Sequence, residues 1–221
     1  AMARAMAHDR TCQRGADVAK PRGKARGEDG DRRAALRWLY AATMLHMAAW
    51  MLLADAKMMI YLRQVGGNTT KAARIQSRGV ATMMLSSMAL APTFAALSDV
   101  LGRKALLLLS PLFALFLRTA ELASPSAGRM LLTTSLSCIT NAAPQAVATS
   151  IADLHADDPV AAGSALALLQ SLSFFASILC PVLGSALAKR GVRRPLLLSA
   201  LLSAAQAALV WRRVPETLPE G

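Results

Sequence analysis

Charged residues are absent from four long stretches of this chain: between Arg78 and Asp99, Arg129 and Asp153, Asp158 and Lys189, and Arg194 and Arg212. A helix rises about 1.5 Å per residue, so roughly 20 apolar residues cross a hydrocarbon layer about 30 Å thick. Each of the four gaps can do so. Two further segments are weaker. One runs from Trp38 to Ala54 and continues past Asp55 and Lys57 through Met58, Met59, Ile60, Tyr61 and Leu62; the other, Ala105 to Leu117, stops at Arg118. In a soluble amphipathic helix charges return every turn or two, and here they do not. The run from 159 to 188 is long enough to hide two short spans, but no cluster of turn residues marks its centre. A loop at mid-membrane would also leave amides unpaired in lipid. Pro181 and Gly184 therefore predict one long, bent helix. The pattern predicts six spans, near residues 36–62, 73–97, 105–121, 129–152, 159–188 and 195–211.

Composition agrees with that pattern. Hydrophobic residues make up 54% of the 221 positions and charged residues 17%, with a mean hydropathy of +0.38. A soluble domain has no means of burying so large an apolar share. The fold class predicted is an all-α, multi-pass integral membrane protein with the lipid bilayer as its first partner, and no nucleic acid among its partners. Residues 1–34 are polar, rich in Arg, Ala, Gly and Asp, and carry no apolar periodicity, which predicts a disordered basic tail. Residues 35–214 form the helical bundle and 215–221 begin a linker. The first residue is alanine where an initiator methionine would stand, which suggests a fragment or a processed product.

Net charge is +12, and its distribution bears on orientation. With the amino terminus on the cytoplasmic side, the tail, Arg103, Lys104, Arg212 and Arg213 obey the positive-inside rule, whereas Lys71, Arg74, Lys189, Arg190, Arg193 and Arg194 fall on the opposite face. Cys12, Cys138 and Cys180 are an odd set with two inside spans, so they give neither a disulfide framework nor metal spacing. No nucleophile stands with a base and no phosphate loop is present, so neither enzymatic chemistry nor a cofactor is predicted.

Four short stretches carry more. After the second span the chain reads Asp99-Val100-Leu101-Gly102-Arg103-Lys104: Asp99 ends a helix at the interface, Gly102 permits a tight reversal, and Arg103 stays close enough to pair with an acid. Gly128-Arg129 opens the fourth span and Ala152-Asp153 closes it. Within the fifth span Pro181 and Gly184 sit among small residues that permit close helix approach. After the sixth comes Pro215-Glu216-Thr217. In this order and at these spacings the stretches resemble the major facilitator superfamily, and within it the proton-coupled drug antiporters that include tetracycline efflux proteins. The match departs from that family's pattern where Ala95 and Val100 replace a glycine and a basic residue, where Cys180 and Ser185 replace glycines, and where no basic residue follows Asp158.

The resemblance implies one six-helix bundle built from two inverted three-helix repeats, the amino-terminal half of a twelve-helix transporter. In that reading Asp99, Gly102, Arg103 and Lys104 form a gating loop, Arg129 and Asp153 mark the fourth helix, and Pro181 and Gly184 shape the face between bundles. It also implies a cavity lined by the first and fourth helices. The polar residues inside spans are its candidate contacts: His46, Asp55, Asn141, Gln145 and, on the fifth span, Gln170. Asn141 and Gln145 are four residues apart and share a helix face, as a cavity wall or as hydrogen-bonding glue between helices. Asp55 is either a coupling-proton acceptor or the interfacial partner of Lys57. Arg118 and Glu121, three apart, read as an interfacial salt bridge. The implied function is movement of a small solute, with H⁺ as the coupling ion, in company with a second six-helix half; the alternative is a non-transporting membrane scaffold.

Overall fold

Residues 22–214 are described by a computed structural model, with side chains from residue 30 onward. The tail before residue 22, the linker from 215 and Cys12 lie outside the described residues. The chain divides into two compact units, Ala1–Ala34 and Ala35–Gly221. Helix α1 is Arg22–Gln64, so helical structure begins within the stretch predicted to be disordered. Gly23, Gly27 and Gly30 are weak helix formers and no apolar periodicity marks this stretch, which is why the pattern missed it. Everything below concerns the second unit.

The remaining helices are α2 (Thr69–Leu101), α3 (Arg103–Ala123), α4 (Ala127–Leu136), α5 (Ala142–Leu154), α6 (Pro159–Lys189) and α7 (Arg193–Arg213). Their starts follow from capping. Asn68 accepts from the Lys71 amide at 2.9 Å, Ser126 caps α4, and Asp158 accepts from the amides of Val160 and Ala161 ahead of Pro159 at the first turn of α6. Between α2 and α3 a single residue intervenes: Gly102, at φ 92°, a conformation that side chains with a Cβ rarely adopt.

The fourth crossing differs from the uninterrupted helix predicted for 129–152. It breaks into α4, a 3-10 segment over Ser137–Asn141, and α5. Pro144 has no amide to offer the carbonyl of Thr140, which instead accepts from Ser110 Oγ of α3 at 2.7 Å. Around it, hydroxyls bond back to the chain: Ser137 to the Thr134 carbonyl at 2.6 Å and Thr140 to that of Ser137 at 2.7 Å. Such local bonds compete with the helical ladder and tighten it. By contrast α6 runs unbroken through Pro181.

Among the described residues five helices, α1 from Gly30, α2, α3, α6 and α7, are long and apolar enough to cross a membrane, and the broken pair α4–α5 makes a sixth crossing by length. Burial separates them. In the most apolar stretch of α1, α3 and α7, 44% of residues are buried, against 11% in α2 and 17% in α6. The first three are therefore the inner layer and the other two are flanks. Leu39, Leu107, Val147, Ile151 and Val210 fill the core at one end, and Leu53, Tyr61, Met130 and Leu196 fill it at the other. Met88, Phe116, Phe174, Ile178 and Leu201 stand exposed on the outside, an apolar coat that suits lipid. The chain is an all-α, multi-pass membrane protein.

Candidate functional site

Three ionisable side chains meet inside the bundle. Glu121 on α3 is fully buried, with Arg118 one turn before it and Lys57 reaching across from α1. Lys57 Nζ lies 3.0 Å from Glu121 Oε1, and Arg118 Nη1 lies 3.2 Å from Oε2. Thr133 of α4 donates to Oε1 at 2.5 Å, and Lys57 also donates to Thr134 Oγ1 at 2.8 Å. The carboxylate is thus bonded from three helices, while two cations share its one charge. The Nε of Arg118 has no partner among the described residues.

Beside the cluster is a small cavity of about 90 Å³, lined by Lys57 and Arg118 and also by Trp50, Tyr61, Gln76 and Thr134. Charges within a span are costly and tend to face an aqueous path or each other. Here they do both. The Arg118–Glu121 bridge forms as its spacing predicts but is buried in the bundle, and Lys57 turns to Glu121, not to Asp55. The signal available in sequence was a lysine in an apolar run and an i, i+3 charge pair. Nothing in their spacing, 61 or more residues apart along the chain, tied the one to the other.

A second ionic contact closes the opposite end. Arg103, the first residue of α3, pairs with Asp153 near the end of α5 at 2.5 Å, both groups partly exposed. The positive φ of Gly102 delivers Arg103 there. Asp99 does not take that role; it stands exposed on the rim of a cavity of about 190 Å³ that Ser98, Arg103, Gln145 and Thr149 also line. Lys104 follows on α3. The motif thus joins the α2–α3 turn to the fourth crossing.

The other candidates are scattered. Asn141, half-buried at the end of the 3-10 segment, donates to Ser87 Oγ of α2 at 2.9 Å, while Gln145 is exposed beside Phe94 of α2. Both therefore look toward α2, and the bond that Asn141 makes is a packing bond. His46 is buried with Gln206, Thr43 and Pro144 around a gap too narrow to admit a water molecule. Asp55 is half-buried on α1, and Gln170 is exposed on α6. Arg129 reaches back to the Ala120 carbonyl at 3.1 Å, fastening α4 to the end of α3. Gly184 faces inward, since a Cβ there would lie 2.5 Å from the carbonyl oxygen of Leu52. It serves the contact of α6 with α1 inside this bundle, whereas Pro181 is half-buried one turn earlier.

No family model matches the chain, and no curated protein matches it. Among solved structures, the crystal structure of the human organic anion transporter MFSD10 (TETRAN) superposes with a TM-score of 0.68 at 19% identity, over 85% of this chain and 49% of that one. The chain spans about half the length of that transporter, and identity this low speaks to fold alone. The arrangement of six crossings is therefore a fold that this chain shares with about half of that transporter.

Proposed function

We propose that the chain acts as one bundle of a transporter that carries a small solute through the membrane by alternating access. The observation that carries this reading is the buried Lys57–Arg118–Glu121 cluster opening on a cavity, because ionisable groups inside a span are retained where something passes or binds. The fold supports it. In such folds two bundles rock about a shared site, so a second bundle, from further sequence or another chain, is required. The finer form is proton-coupled efflux, with Asp55 as the proton-carrying acid: it is half-buried on α1 and Lys57 is engaged elsewhere.

The test is uptake into proteoliposomes of a panel of labelled acids, neutral compounds and cations, by the chain alone and with a second bundle co-reconstituted. Flux is expected only with both bundles present, and it should follow an imposed pH gradient. Uptake by the monomer alone would overturn the half-transporter reading. A stable complex with no flux of any member of the panel would favour the non-transporting scaffold.

A further inference from the structure

The charge balance around Glu121 is unequal. One carboxylate faces two cations, and its oxygens already accept from Lys57, Arg118 and Thr133. Spare donors remain on the cationic side. A protonated lysine has three N–H bonds, of which Glu121 and Thr134 occupy two. Arg118 is 3% exposed and its Nε–H is without a partner among the described residues. Both side chains line the cavity, and Lys57 is the more accessible of the two. Among the described residues no acid lines the cavity: Asp55 lies two residues from Lys57, about 200° around the helix. Arg78, the nearest further cation along α2, is exposed.

The rest of the lining is apolar or amphipathic: Trp50, Leu53, Ala54 and Val80, with Tyr61 and Gln76 as polar edges. At about 90 Å³ the space accommodates a head group and the near part of a small body, well short of the 300 Å³ or more that a drug-sized ligand fills. An unpaired positive charge in such surroundings is costly unless an anion joins it, and a planar carboxylate matches the guanidinium fork of Arg118 while Lys57 supplies a point charge.

We infer that Lys57 and Arg118 form a binding site for the carboxylate of a small organic acid, with Trp50, Leu53 and Val80 receiving its apolar part. The assignment rests on the proposed solute-carrying role and gives it a substrate class. Glu121 is a positioning residue: it holds the two cations in place and cancels one of their charges.

The probe is benzoate, titrated into the purified full chain in nonionic detergent and followed by tryptophan fluorescence, with benzamide as the uncharged equivalent and dodecanoate as a lipid-borne carboxylate. Benzoate should quench saturably and benzamide should not. Trp50→Phe should remove the signal. Lys57→Gln should weaken benzoate at least tenfold, whereas Glu121→Gln, which keeps the shape and leaves more positive charge, should strengthen it. Opposite effects from these two changes cannot arise from general loosening, and size-exclusion profiles and helical circular dichroism identify any variant that has not folded. Equal binding of benzamide, an unchanged affinity in Lys57→Gln, or weakening by a folded Glu121→Gln would overturn the site. Binding of dodecanoate alone would assign the cavity to a fatty acid and overturn the soluble-acid reading. Since binding is read without flux, benzoate binding with no flux even when a second bundle is present would sink the transport role and leave the site standing. Flux of neutral solutes without benzoate binding would do the reverse.

Discussion

The bundle holds two ionic assemblies that obey different physics. At one end Arg103 and Asp153 pair at a partly exposed turn, their side chains 13% and 32% accessible. Toward the other end, Lys57, Arg118 and Glu121 are 12%, 3% and 0% accessible and are bonded from three helices. A pair reached by water gains little Coulomb energy and can separate cheaply, whereas a buried group that loses its partner keeps the full cost of desolvation. The first is therefore held only weakly. The second must stay together or be replaced by another charge.

The strongest way to break this contrast is at Glu121. Glu121→Ala leaves two buried cations facing each other, and a loss of about 3–5 kcal/mol is expected in unfolding of the detergent-solubilised chain. A double change, Lys57→Ala with Glu121→Ala, should recover a measurable part of that loss, since the coupled pair is then removed as a unit. Asp153→Asn should cost at most about 1 kcal/mol in the same assay. Raising salt should erase even that difference, because the screening length falls to roughly 3 Å at 1 M, while the Glu121 effect should persist. The smallest effect is expected from Asp99→Asn, within about 0.5 kcal/mol, as for an ordinary exposed position. Should Asp99→Asn cost more than Asp153→Asn, the assignment of Asp153 as the acid for Arg103 is wrong.

The same contrast explains what could be read before the structure. Four of the crossings show in sequence as charge-free runs, because lipid imposes one length on every span. The turn at Gly102 was legible for a similar reason, its requirement being local and met by one residue. Non-local facts were not legible. Arg103 meets Asp153, 50 residues away, and Lys57 meets Glu121, 64 away, through packing that no spacing rule encodes. Gly184 was visible as a small residue in a span, but which helix it would admit depended on where the Leu52 backbone lay. The break in the fourth crossing had a signal that periodicity overrode: Pro144 four residues after Thr140, downstream of a Ser/Thr-rich run.

That break has a mechanical corollary. A helix that keeps every internal bond bends as a stiff rod, and flexing it in lipid strips carbonyls of their partners. In the fourth crossing the vulnerable oxygen, that of Thr140, has already been handed to the hydroxyl of Ser110. The two halves of this crossing therefore meet at a joint that leaves no oxygen stranded, and the bond that secures it comes from α3.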